Sequence, residues 1–203
     1  MSLYTKIKNR IRKEWKRLWN TVIPFLCRQV VYYNQNSLRY LFVKYGREEI
    51  SSVGCGPFAC AIVISSLLKK KVTPQEIARW SVEHGFYEYR HGSYHKMIPA
   101  VMAAYGLSCV DLKTDTKRMQ QCLQQGGLAI VLCRPGTFSK GGHFVAVDWD
   151  TVKKALRVYD SGNVLHCYKK YNEEIIRDAL LKSNPTDGPV WYVSEYRAGG
   201  EKI

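Results

Sequence analysis

Cys55 stands between two glycines and just ahead of a proline, in Gly54-Cys55-Gly56-Pro57. The run that follows, from Phe58 to Leu68, is apolar at nearly every position. This predicts a helix buried on all sides, with Pro57 at its first position, where the missing N–H has no intrahelical partner anyway. Cys55 then sits at or just before the helix N-terminus. The dipole and the unpaired N–H groups there favour an anion, and a thiolate is an anion. The glycines let backbone, or a substrate, approach the sulfur. Nucleophilic chemistry suits such a cysteine; the plainer alternative is a small apolar side chain that fills space.

A thiolate nucleophile needs a base, and the base needs a group to orient it. Of the five histidines, His143 is the best placed. It follows Gly141-Gly142 and opens a strand over 143–149, so its ring can stand at a sheet edge facing a cleft. A second strand covers 155–160. With the turn centred between Thr151 and Val152, antiparallel pairing sets His143 opposite Asp160, near enough for a carboxylate to hold an imidazole N–H. A slip of one residue would break that placement. Both residues also have plainer roles open to them: His143 as a solvent-facing strand end, and Asp160 as a turn former in Asp160-Ser161-Gly162-Asn163.

The other candidates are weaker. Cys60 lies mid-helix and Cys133 ends a buried strand, so both read as core. Cys27, Cys109, Cys122 and Cys167 have no glycine setting. Seven cysteines is an odd number and no C-x-x-C pair occurs, which argues against a zinc site or a disulfide framework and for reduced thiols. His91 and His95 are spaced to share a helix face, but no acidic motif accompanies them, so no metal or other cofactor is expected.

The elements that must position these groups follow from the pattern. Residues 29–36 lean towards a strand. Thr73-Pro74-Gln75-Glu76 is a capping box that starts a helix running to about His84. An aromatic-rich loop spans 85–92. A helix after Ser93 carries Met97, Val101, Met102 and Tyr105, and Gly106 stops it. A strand at 107–112 leads to a helix that starts at Thr114 or Asp115 and ends at Gly126-Gly127. The later part is mostly strands: 128–132, 143–149, 155–160, a further one at 164–168, and 190–196 to close the sheet. Asn172 caps a helix from Glu173 to about Lys182. Helices first and antiparallel strands later is an α+β pattern.

Charge divides the chain unevenly. Residues 1–28 hold eight Lys or Arg and one Glu, half of the net +14 of the 203-residue chain. We read 1–28 as a basic arm and 29–203 as one domain. Within the arm, Leu3, Ile7, Ile11, Trp15, Leu18, Trp19 and Val22 recur at helical spacing among lysines and arginines. Such a helix either packs its apolar face on the domain or docks on an anionic membrane surface or an acidic partner. Nothing specifically indicates nucleic acid. No signal peptide or transmembrane run is evident, so a cytoplasmic, at most membrane-associated, protein is expected.

Gly54-Cys55-Gly56-Pro57, then Gly142-His143-Phe144-Val145-Ala146-Val147, then Tyr159-Asp160-Ser161-Gly162 resembles the papain-like cysteine peptidases that cut double-glycine leader peptides, and more closely their stand-alone relatives without a transporter. Tyr32-Tyr33-Asn34-Gln35 matches the glutamine of that family upstream of the cysteine. The resemblance covers residues 30–165 in motif order. It implies a papain-like α+β fold, with a central helix carrying the cysteine packed on an antiparallel sheet carrying His and Asp. It implies Cys55 as nucleophile, His143 as general base and acid, Asp160 as the group orienting the imidazole, and Gln35 with the Cys55 N–H as oxyanion donors. Ser161 departs from the family's usual proline, and Asn163 is a reserve orienting residue. The function implied is hydrolysis of a peptide or isopeptide bond in a peptide or protein substrate, through a thioester. Acyl transfer or deamidation on the same triad, and a catalytically silent peptide-binding module docked by its basic arm, are the alternatives.

Overall fold

The computed structural model describes residues 30–181 and 187–195. The basic arm, with every expectation placed on residues 1–28, lies outside the described residues. Residues 30–34 form no ladder, contrary to the strand expected there. They run instead as a strap, held by the Val31 N–H on Ser66 Oγ at 2.9 Å and the Tyr32 hydroxyl on the Asp160 carbonyl at 2.8 Å. A 3-10 turn at Leu38–Tyr40 leads to the short pair β1 (Lys44–Tyr45) and β2 (Glu48–Glu49), then α1 (Ile50–Val53) and α2 (Cys55–Leu68).

Helix α2 is buried from Gly56 to Ser66. Its two serines are satisfied within that apolar setting: Ser66 Oγ donates to the Ile62 carbonyl at 2.5 Å, and Ser65 Oγ donates to the Val72 carbonyl and accepts its N–H, both at 2.9 Å. Lys69 ends the helix in a left-handed conformation, φ 50°. The capping box forms as expected, with Thr73 at the start of α3 (Pro74–Glu83). The aromatic-rich stretch folds into a hairpin of β3 (Tyr87–Glu88) and β4 (Gly92–Ser93), not an open loop. Then come α4 (Met97–Ala104), with Lys96 at its N-cap where Ser93 was expected, β5 (Leu107–Lys113) and α5 (Thr116–Gln124), capped by Asp115.

The rest of the chain supplies β6 (Leu128–Cys133), β7 (His143–Asp150), β8 (Ala155–Tyr159), α6 (Glu173–Ala179) and β9 (Val190–Glu195). The segment Val164–Tyr168, expected as a strand, is a 3-10 helix capped by Asn163. The main sheet is five-stranded in the order β5-β9-β6-β7-β8, and every pairing is antiparallel. The last strand does not close an edge: it enters between β5 and β6, far apart from both in sequence.

Both faces of this sheet are covered, which explains why β6 is apolar at every position. Leu128, Ile130 and Leu132 join the core under α2, with Phe58, Ile62, Phe144, Ala146 and Trp191. Ala129, Val131 and Cys133 face a second core with Met119, Leu123, Ile176 and Leu180 from the α5 and α6 side. Helices on both faces of an antiparallel sheet give an α+β architecture with α2 at its centre. No helix among the described residues is long and apolar enough to cross a membrane.

The register between β7 and β8 differs from the expected one. Asp150 pairs with Ala155, Val147 with Val158 and Ala146 with Tyr159, so the turn is centred one residue later, between Val152 and Lys153. Asp150 sets this turn. Its Oδ1 accepts the N–H groups of Val152 and Lys153, both at 3.0 Å, and Lys154 takes a left-handed φ of 49°. His143 is therefore not directly across from Asp160, which lies just past the end of β8. The slip amounts to two residues, an even number, so strand alternation keeps the two on a common face.

Candidate active site

Cys55 is the first residue of α2, with Gly54 as N-cap. The first N–H groups of a helix have no intrahelical acceptor and point past its end. Pro57 is the third helical residue, not the first as expected, but its missing N–H still falls among those unpaired donors. The glycines serve packing. A Cβ at Gly54 would lie 2.4 Å from the Ile50 carbonyl oxygen, and one at Gly56 would lie 2.6 Å from Ser93 Oγ and 3.1 Å from Met97 Cε. They let α1, β4 and α4 close onto the start of α2.

His143 opens β7 opposite Cys133 of β6. Its Nε2 lies 2.7 Å from Asp160 Oδ1. The Cys55 thiol is electrostatically coupled to the same ring, and with Nε2 on Asp160 the nitrogen left for the sulfur is Nδ1. His143 is 7% exposed and Asp160 is fully buried. Cys55, His143 and Asp160, three residues from three distant segments, thus meet at one site, with the imidazole bonded to the carboxylate and coupled to the thiol.

The electrostatics follow from those contacts. Burial opposes a thiolate at Cys55, but the hydrogen bond and charge of His143, with the N–H groups of Phe144 and Gly56, outweigh it and hold the thiol below its ordinary value. Burial likewise opposes a charged imidazole, yet the hydrogen bonds to Asp160 and Cys55 push His143 up to about 10. At Asp160 burial works against the anion, while His143, then His166 and the Gly162 N–H, hold the carboxyl below the usual carboxylate range. These directions describe a thiolate–imidazolium pair anchored by a buried carboxylate. Other cysteines go the opposite way: burial raises Cys60 and Cys133, and pushes Cys109 and Cys167 up to about 12.

Gln35 joins the two sides of the site. Its backbone N–H donates to the Ser161 carbonyl at 2.8 Å, and its side-chain oxygen accepts the Ser161 hydroxyl at 3.0 Å. Its Nε2 donates to the Ser51 carbonyl in α1 at 2.8 Å, just upstream of Cys55. One amide hydrogen is committed to Ser51, and a carboxamide nitrogen carries two. The position where the resembling family has proline is thus used: a proline there could not offer the hydroxyl that Gln35 receives.

Asn163 does not orient His143. Its Oδ1 accepts the Leu165 N–H at 3.2 Å and its Nδ2 lies 3.3 Å from His166 Nε2, while Asp160 holds the orienting position. Two participants had no linear signal. His166 Nδ1 lies 2.6 Å from Asp160 Oδ2, a contact made only because 164–168 coils as a 3-10 helix. Tyr32, 128 residues away in sequence, donates its hydroxyl to the Asp160 carbonyl. His91 and His95 do not share a helix face: His91 lies in the β3–β4 hairpin and His95 precedes α4. Among the described residues no group of three or more His, Cys, Asp or Glu is arranged to hold a metal ion. No protein-family model matches this chain, and no curated protein sequence matches it either.

Proposed function

We propose that this protein is a papain-like cysteine hydrolase that cleaves a peptide or isopeptide bond through a thioester. The observation that carries the reading is the bond of His143 Nε2 to buried Asp160 Oδ1 at 2.7 Å beside Cys55 at the start of α2, with the thiol shifted down and the imidazole shifted up. A silent peptide-binding module has no need of that pairing.

In this reading the Cys55 thiolate attacks the substrate carbonyl, and the carbonyl π electrons move onto oxygen. The Cys55 N–H and the second amide hydrogen of Gln35 receive the oxyanion. The tetrahedral intermediate collapses, the C–N bond breaks, and the His143 imidazolium gives its Nδ1 proton to the leaving amine. A thioester remains, with His143 neutral. His143 then takes a proton from water, the hydroxide adds to the thioester, and collapse releases the acid and the Cys55 thiolate beside a recharged imidazolium. Asp160 keeps the imidazole oriented throughout and stabilises its charge without itself taking the proton.

The test is alkylation by iodoacetamide followed by peptide mass spectrometry, together with turnover of a peptide library. Cys55 is expected to be labelled first, below the ordinary thiol range, and Cys55→Ala to abolish turnover. Labelling of Cys55 no faster than Cys60 would overturn the reading. Ammonia release from a glutamine substrate, or amide formation with an added amine, would redirect it to deamidation or acyl transfer.

A further inference from the structure

The two oxygens of Asp160 have different company. Oδ1 accepts His143 Nε2 at 2.7 Å, the Gly162 N–H at 2.8 Å and the Asn163 N–H at 3.2 Å. Oδ2 meets His166 Nδ1 at 2.6 Å. The protonation of His166 follows from its other nitrogen. Asn163 Oδ1 accepts the Leu165 N–H, which turns the amide nitrogen towards His166 Nε2. An amide nitrogen only donates, so Nε2 must accept, and the ring proton resides on Nδ1. Phe138 holds the ring edge-on at 5.3 Å between centroids.

We propose that His166 is a positioning residue of this site: an imidazole that donates its Nδ1–H to Asp160 Oδ2 and so keeps Oδ1 aimed at His143. The inference rests on the reading of Cys55, His143 and Asp160 as a catalytic chain. A carboxylate turns about a broad, weakly restrained torsion. The backbone N–H groups hold one oxygen only, so the turn is stopped by a partner on the other. Without His166, Oδ2 would be an anionic oxygen buried without that donor, and the carboxylate would be held through Oδ1 alone.

The groups that face this cluster keep a titration readable. Cys55 comes from α2, Cys133 from β6, Tyr32 from the strap, and Cys167 and Tyr171 from the segment after β8. Burial raises Cys133 and Tyr32 and pushes Cys167 and Tyr171 up to about 12, so these four stay neutral from mildly acidic to mildly alkaline pH.

The experiment measures the rate of Cys55 alkylation against pH in the full chain, for wild type, His166→Phe, His166→Asn, Asp160→Asn and His143→Ala, with a long-range proton–nitrogen spectrum of the wild-type imidazoles. His166→Phe is expected to move the onset of Cys55 reactivity up by about one pH unit, a loss of about tenfold in labelling at acidic pH. His166→Asn keeps an N–H near the place of Nδ1 and should stay within about threefold of wild type, since that hydrogen bond is retained. A folded His166→Phe with the wild-type profile overturns the proposal. If that variant does not fold, a folded His166→Asn with a profile shifted as far as that of Asp160→Asn overturns it. A wild-type spectrum showing His166 protonated on Nε2 overturns it without any variant. An unchanged profile in His143→Ala strikes the thiol–imidazole reading itself, so the two failures are distinguishable.

Discussion

Gln35 and Ser161 hold each other twice, once through backbone N–H to carbonyl at 2.8 Å and once through hydroxyl to side-chain oxygen at 3.0 Å. This double tie fixes the strap before α1 to the turn after β8. Through Ser51 it also reaches the chain leading into Cys55. Gln35→Ala is expected to lower kcat by about 10²–10³-fold, the usual cost of one oxyanion donor. Ser161→Ala leaves the Gln35 oxygen without its hydroxyl and should cost about 1–3 kcal/mol of stability, with a smaller fall in kcat than Gln35→Ala. Steady-state kinetics and urea unfolding on both variants check this ordering.

Asp160 and His143 predict how stability follows pH, with opposite signs. Asp160 titrates lower in the folded chain, so its contribution is complete above the ordinary carboxylate value and is lost as pH falls through the lowered one. His143 is raised from 6.5 to about 10, so its contribution is complete below 6.5 and is lost as pH rises towards 10. Urea midpoints of the wild type should therefore fall at both ends. Asp160→Asn should abolish the acidic limb and shrink the alkaline one, where Cys55 still holds part of the His143 shift. Parallel curves for the two proteins would contradict the assignment.

The same substitution bears on rate. Asp160→Asn should reduce turnover by about 10²–10⁴-fold, as loss of the orienting carboxylate does in related triads. The alkylation profile of Cys55 should move to higher pH at the same time, since the imidazolium that stabilises the thiolate is weakened. A fall in turnover with an unmoved alkylation profile would separate the two roles.

The glycines beside Cys55 make a prediction about packing. Gly54→Ala drives a Cβ against the Ile50 carbonyl at 2.4 Å, and a carbonyl within a helical turn has little room to yield. Gly56→Ala meets Ser93 and Met97 side chains, which can rotate. Overpacking costs about 1–3 kcal/mol, with Gly54→Ala the more damaging. Thermal or urea unfolding checks the order, and Ser93→Gly should recover part of the Gly56→Ala loss and none of the Gly54→Ala loss.

Thr73→Ala supplies a control far from the chemistry. It removes the cap of α3, in which Thr73 Oγ1 accepts the Glu76 N–H and Glu76 Oε2 accepts the Thr73 N–H. A loss of about 1 kcal/mol is expected. Cys55 labelling should stay as in wild type, as measured by the same alkylation assay.

Much of the local structure was readable from sequence, because its causes are local. The apolar run after Pro57 predicts a fully buried helix, and Cys55 heads it. Thr73 to Glu76 announces α3, and Asp115 and Asn172 announce α5 and α6. The strands β6, β7 and β8 were legible too, and with them the pairing of His143 with Asp160, even though the turn is centred one residue later than the sequence suggests. That pairing survived because side chains alternate with period two and the error was even. The 3-10 coil at Val164–Tyr168 looks like a strand in sequence because its apolar and aromatic residues suit either state.

Only the tertiary structure could decide what joins the site together. The entry of β9 between β5 and β6, the strap at 30–34, the hydroxyl of Ser161 on Gln35 and the imidazole of His166 on Asp160 all depend on segments meeting after the sheet has formed. A serine or histidine beside a turn carries no local mark of the partner it will find. Such contacts are selected by burial: once Asp160 is enclosed, its oxygens require donors, and only the folded chain determines which side chains are near enough to supply them.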